Sequence, residues 1–127
     1  LNCANSTPTL KIETNFGSQS CCIVKPHAMC KAGSIVRILE TYFEVVNLKV
    51  VIWCAKEADT FLTLYRGCVP SYSEHVREMS SGRFLAVHVV GHRAFERLRV
   101  LCGARDPSIA QILDPTSLRA CFGTDRV

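Results

Sequence analysis

The 127-residue sequence predicts an α+β fold, a ferredoxin-like βαββαβ sandwich with a helical hairpin inserted before its third strand. Three observations carry this. Short β-rich runs fall at 21–24, 47–55 and 84–90. Apolar stripes at helical spacing follow the first and third of these runs, as expected of helices laid on a sheet. Two further helical patterns, parted by "GCVP", lie between the second and third runs. The plan needs a fourth strand paired with the first. None is read before Val127, so the last strand is expected to be missing from this chain.

Residues 1–20 are rich in Asn, Ser and Thr without sustained period, and read as a polar tail or linker. Cys21 to Val24 then form a short apolar strand, ended by Pro26, which has no amide to donate to a ladder. Ile35, Ile38, Leu39, Tyr42 and Phe43 make one helical stripe, with Gly33 and Ser34 placed to cap it. "NLKVVIWCA" is a strand rich in β-branched residues. Glu57 to Arg66 carries Phe61, Leu64 and Tyr65 at helical spacing. Ser71 and Glu74 read as a capping box before a helix that buries Tyr72, His75, Val76 and Met79 and stops at Gly82. "FLAVHVV" is the third strand, and the next helix aligns Ala94, Phe95, Leu98, Leu101 and Cys102. A turn over 103–107, a short helix over 107–113 and an irregular loop over 114–123 complete the reading.

Composition narrows the function. Apolar residues at 48% and charged residues at 20% are an ordinary globular balance, which sets aside disordered and fibrous classes. A net charge of +4 suits an anionic ligand but falls short of a nucleic-acid footprint, and no basic run with interleaved aromatics occurs. Nucleic acid is therefore not an expected partner. The longest apolar run, "VVNLKVVIWCA", is interrupted by Asn47 and Lys49 and is too short to span a bilayer, so no membrane is expected. The chain opens on Leu1 with no visible secretory leader, which reads as a processed chain or a fragment of a cytoplasmic protein. Eight cysteines lack CxxC spacing, and no histidine stands at zinc-ligand distance from such a pair. They read as reduced thiols, with no protein-bound metal. The sequon at Asn5 reads as an accident of the polar tail.

Three cations stand out by placement. Lys25 follows the first strand, Arg99 lies on the helix after the third, and Arg119 sits in the late loop within "PTSLRACFG". Lysine and arginine at strand and helix ends suit a polyphosphate, which needs fixed charge-assisted donors.

The blocks "CCIVKPHA", "CKAGSIVRIL", "EMSSGRFLAVHV", "FERLRVLCGARDP" and "DPTSLRACFGTD" together resemble the nucleoside diphosphate kinase family. They run in the family's order and spacing over roughly residues 20–127, so 21–127 is expected to be a C-terminally truncated kinase-like domain. Within the family, "YRGCV", "SEHVREMSSG" and "SLRACFG" are most similar to the two-domain ciliary and flagellar branch, in its C-terminal kinase-like domain. The resemblance implies that Lys25, Arg99 and Arg119 bind the phosphates of ATP or another nucleotide, with Mg²⁺ carried on the phosphates.

Departures from the family pattern shape the functional expectation. His27 and Ala28 replace an Asp-Gly pair after the lysine, Arg105 replaces a threonine near the phosphates, and no phenylalanine serves as base platform in "GCVPSY". Tyr72 is assigned to the core instead. The family's phosphoryl-accepting histidine belongs to a block that would start just after Val127, and His27, His75, His88 and His92 do not align with it. No catalytic residue is therefore assigned. The expectation is a kinase-like structural component of a ciliary or flagellar axoneme (doublet microtubule), partnered by axonemal or microtubule-associated proteins and by a chain covering the first-strand edge. The alternative is a fragment of an active kinase that moves the γ-phosphate of ATP to nucleoside diphosphates through phosphohistidine.

Overall fold

Residues 17–124 are described by the computed structural model. In chain order the elements are β1 (Gln19–Val24), α1 (Ala32–Tyr42), β2 (Glu44–Ile52), α2 (Ala55–Leu62), α3 (Tyr72–Ser80), β3 (Arg83–Val90), α4 (Ala94–Cys102), α5 (Pro107–Leu113) and α6 (Leu118–Phe122). The strands form one antiparallel sheet in the order β1-β3-β2. This is the expected α+β, ferredoxin-like architecture, with α2 and α3 as the inserted hairpin. Residues 1–16, including the sequon, lie outside the described residues, while Gln19 and Ser20 already belong to β1.

Strand β3 is central because its alternation serves two cores. Leu85, Val87 and Val89 face one side, where register places Val24 opposite Leu85 and Cys22 opposite Val87. Ile35 and Leu39 of α1, Phe43, and Ala94 and Leu98 of α4 close over that face. Phe84 points to the other face and packs with Ala58 and Met79 of the hairpin. Trp53 meets the Phe84 ring edge-on at a centroid distance of 4.7 Å. Each fully buried side chain of this size stabilises the fold by about 1.5–3 kcal/mol. β1 and β2 are the two edges of the described sheet, and Leu48, Val50 and Ile52 of β2 are exposed. No helix among the described residues is long and apolar enough to cross a membrane.

Several local expectations are corrected. Helix α1 starts at Ala32, so Gly33 and Ser34 lie inside it rather than capping it. Ser71 has φ 58° and ψ 37°, a left-handed conformation that carries its hydroxyl away from the amides ahead, so no Ser71–Glu74 box forms. A comparable tie occurs at α2, where the Cys54 amide donates to Glu57 Oε2 at 2.8 Å. Helix α2 ends at Leu62 and passes into a 3₁₀ turn, Thr63–Tyr65, and it is Ala58 and Leu62 that face the core. Phe61, Leu64 and Tyr65 are exposed. Phe95 is likewise half out of the core, although Ala94 and Leu98 on the same helix are buried. Finally, the loop read at 114–123 contains α6, because Ser117 Oγ accepts from the Ala120 amide and caps a short helix.

Candidate functional site

A cavity of about 550 Å³ opens where the C-terminal end of β1, the α2–α3 hairpin and the α4–α6 segment converge. Its floor is apolar, with Val24, Leu98 and Leu118 rising from the main core. One wall is aromatic, formed by Phe61, Tyr65 and Tyr72 of the hairpin. Lys25, Arg105 and Arg119 supply the basic rim from three separate chain segments.

Each cation is placed by a local device. Lys25 follows β1 in extended backbone (φ −66°, ψ 160°), and Pro26 opens a 3₁₀ turn over Pro26–Lys31 that turns the chain away from the sheet. Arg105 sits between α4 and α5, where its Nη2 donates to Nε2 of His75 on α3 at 3.1 Å. That contact ties the rim to the hairpin. Arg119 lies on α6, with Nη1 donating to the Gly103 carbonyl at 2.7 Å. Gly103 ends α4 at φ 78° and ψ −170°, a region essentially open only to glycine. A β-carbon there would also stand 2.5 Å from Ser117 Cβ. Ser117 is buried, and its hydroxyl donates to the Asp114 carbonyl at 2.8 Å. The close approach of Gly103 to this cap therefore brings the Arg119 helix against the end of α4.

Arg99 is not brought to the cavity. It lies on the exposed side of α4 with its guanidinium 5.8 Å from the Phe95 ring centroid. Thus Lys25 and Arg119 share the site, Arg99 stands outside its lining, and Arg105 joins them. Among the described residues the lining holds no carboxylate, and no group of three or more His, Cys, Asp or Glu side chains could hold a metal ion.

Three of the histidines, His27, His75 and His88, are engaged in side-chain contacts. His27 Nδ1 lies 2.7 Å from Glu78 Oε1, which also accepts from the His27 amide at 3.1 Å. This clip fastens the turn after β1 to α3. His88 Nε2 lies 2.9 Å from Gln19 Oε1 across the β1–β3 ladder. Tyr72 is both wall and brace: its hydroxyl donates to Asp59 Oδ1 at 2.8 Å, while Arg66 donates to both Asp59 oxygens at 2.8 and 2.6 Å. Arg66, with help from Tyr72, holds the Asp59 carboxyl below its ordinary range. Burial, and then the neighbouring Asp59, push the Tyr72 phenol up.

One feature of the cavity has no sequence-level signal. Cys22 on β1 and Cys102 on α4 pack in one core cluster and both line the cavity wall, although they stand eighty positions apart in the chain. The interaction between the two thiols, followed by burial, raises Cys22, and the same interaction with the Arg119 charge lowers Cys102 to about 7. Irregular cysteine spacing gave no hint of this pair, because the packing of α4 on β1 alone creates it.

A basic-rimmed cavity with an aromatic hairpin wall, on a ferredoxin-like sheet, defines the class of domain. Sequence comparison then specifies the family, since the nucleoside diphosphate kinase family model matches residues 18–127. The chain belongs to the nucleoside diphosphate kinase family. It is 33% identical over 115 residues to nucleoside diphosphate kinase homolog 7 of Rattus norvegicus, covering 88% of this chain and 29% of that protein. The chain therefore spans less than a third of that curated relative. A nucleoside diphosphate kinase of Aquifex aeolicus is 36% identical over 108 residues, 82% of this chain and 75% of the relative. A crystal structure of the Aquifex aeolicus enzyme superposes with a TM-score of 0.79 at 34% identity, covering 86% of this chain and 79% of that one. The Halobacterium salinarum enzyme, solved in complex with CDP, gives a TM-score of 0.75 at 26% identity, over 87% of this chain and 72% of that one.

Proposed function

We propose that this chain is a nucleotide-holding module that grips ATP or a related nucleotide by its phosphates and contributes to a larger protein as a structural part. The observation that carries the reading is the convergence of Lys25, Arg105 and Arg119 on one cavity beside the Phe61, Tyr65 and Tyr72 wall. Three cations from separate segments offer charge-assisted donors to phosphate oxygens, and the arginines are able to bind them in bidentate fashion. The apolar floor and aromatic wall suit a sugar and base. Because the described lining is basic, Mg²⁺ entering with the nucleotide would be held by phosphate oxygens rather than by these side chains. The ion neutralises phosphate charge; the chain's own residues fix the polyphosphate's position.

The same reading assigns no phosphoryl acceptor to the histidines at 27, 75, 88 and 92. Glu78, Arg105 and Gln19 engage the first three in contacts that support packing. We assign the module to a ciliary or flagellar axoneme, at the doublet microtubule, on the resemblance of "YRGCV" and "SLRACFG" to that branch. Axonemal or microtubule-associated proteins are its proposed partners, with a chain covering the β1 edge of the described sheet. The test is incubation of the 127-residue chain with γ-labelled ATP and Mg²⁺. No acid-labile phosphohistidine is expected; its formation would overturn the non-catalytic part of the proposal.

A second reading, a portion of an active kinase, is favoured by the 36% identity to the Aquifex aeolicus enzyme over 75% of that enzyme's length. It differs in one measurable respect. A longer chain that includes the residues following Val127 in its gene would exchange label between nucleoside diphosphates, whereas the structural module would not.

A further inference from the structure

The geometry points to a second chemistry in this cavity: Cys22 and Cys102 form a peroxide-sensitive dithiol, with Arg119 as its activating cation. This inference stands independently of nucleotide binding. The two cysteines pack in one core cluster across the β1–α4 contact, and both line the cavity, so a small oxidant reaches them without unfolding the core. Cys22 is buried on the sheet and Cys102 is half-buried at the last turn of α4. Arg119 is anchored on the carbonyl of Gly103, the residue after Cys102, which brings its positive charge to the Cys102 sulfur. The environment divides the roles. Cys102, beside the Arg119 charge, is the thiol drawn toward ionisation, and Cys22, the more buried of the two, is held protonated.

The chemistry balances with a hydroperoxide as oxidant. The Cys102 thiolate attacks one oxygen of hydrogen peroxide, the O–O bond breaks, and a sulfenic acid forms as hydroxide leaves and takes up a proton to become water. The Cys22 sulfur then attacks the sulfenic sulfur. The S–O bond breaks, the Cys22 proton leaves with the hydroxyl as a second water, and a Cys22–Cys102 disulfide remains. Two thiols have each given one electron to one peroxide. The bond would staple β1 to the end of α4, beside the helix that carries Arg119.

Exposed Cys54 and Cys68 belong to the same chain and act as internal references. The experiment treats the full chain with equimolar hydrogen peroxide, blocks residual thiols with N-ethylmaleimide, and maps tryptic peptides by tandem mass spectrometry. Expected is a linked product joining Cys102 to Cys22, formed at least tenfold faster than oxidation at Cys54 or Cys68. Arg119→Gln is expected to slow its formation at least threefold, and Cys21→Ser to leave it unchanged. Cys22→Ala should halt the reaction at a dimedone-reactive sulfenic acid on Cys102. If that variant does not fold, the wild-type map decides alone. Equal oxidation of all the cysteines, or a product joining Cys102 to Cys21, would overturn the assignment.

Discussion

Replacing Gly103 by alanine perturbs the joint between α4 and α6 without touching a charged group. Two costs follow from the geometry. Alanine at φ 78° and ψ −170° occupies a region reserved for glycine, at about 1–3 kcal/mol. Its β-carbon would lie 2.5 Å from Ser117 Cβ, and Ser117 has nowhere easy to go because it is buried and hydrogen-bonded to the Asp114 carbonyl. Overpacking of that kind adds about 1–3 kcal/mol. The total expected is about 3 kcal/mol, or a fall in Tm of about 10 °C for a domain of this size. Gly33→Ala is the matched control. It lies inside α1 with nothing within 4 Å of an added β-carbon, and should stabilise the chain by about 0.4–1 kcal/mol. Thermal melts followed by circular dichroism at 222 nm read both variants. A Gly103→Ala melt within 2 °C of wild type would refute the claim that a glycine-only joint positions Arg119.

Other substitutions test separate parts of the site. Glu78→Ala removes the acceptor of two His27 bonds at 3.1 and 2.7 Å and should cost about 1–3 kcal/mol in denaturant unfolding. Asp59 is held below its ordinary pKa of 3.8 by Arg66 and Tyr72, so its stabilising effect is complete above that value and is lost as pH falls through the lower folded value. Asp59→Asn should flatten the acid limb of Tm against pH, and an unchanged limb would show that the network contributes nothing. For nucleotide affinity, Arg105→Ala should weaken ATP–Mg²⁺ binding at least fivefold and Arg99→Ala less than twofold, because Arg105 lines the cavity and Arg99 lies against Phe95. The reverse order would place the phosphates on the other side of α4.

The architecture was legible because period and punctuation agree along most of the chain. The β-branched run at 47–55 and the alternation at 84–90 both mark strands, although β2 begins earlier, at Glu44, and ends at Ile52, and Pro26 and Pro107 fall where β1 has ended and α5 begins. Local detail failed where tertiary contacts decide. Phe61, Leu64 and Tyr65 share helical spacing, yet Phe61 and Tyr65 line the cavity, Leu64 is exposed, and Ala58 and Leu62 turn inward. Helix α6 was missed because five residues carry too little periodicity, although Ser117 ahead of Leu118 was a usable cap signal. At the site, placement and the family resemblance singled out Lys25, Arg99 and Arg119, of which the cavity lining includes the first and the last. Arg105 was visible only as a departure from the family pattern, and its bond to His75 depends on how the hairpin packs. The Cys22–Cys102 contact was illegible, since no local spacing encodes the meeting of β1 with the end of α4.

Isothermal titration of the chain and of Arg119→Ala with ATP–Mg²⁺ tests most directly whether the basic cavity binds polyphosphate. Charge-assisted bonds of this kind contribute about 1.5–3 kcal/mol each, which corresponds to a loss of about 10- to 150-fold on truncation. Polyphosphate binding by the cavity predicts saturable one-site binding to wild type, weakened at least tenfold in Arg119→Ala. No detectable binding to wild type, or equal affinity in the two proteins, would contradict it.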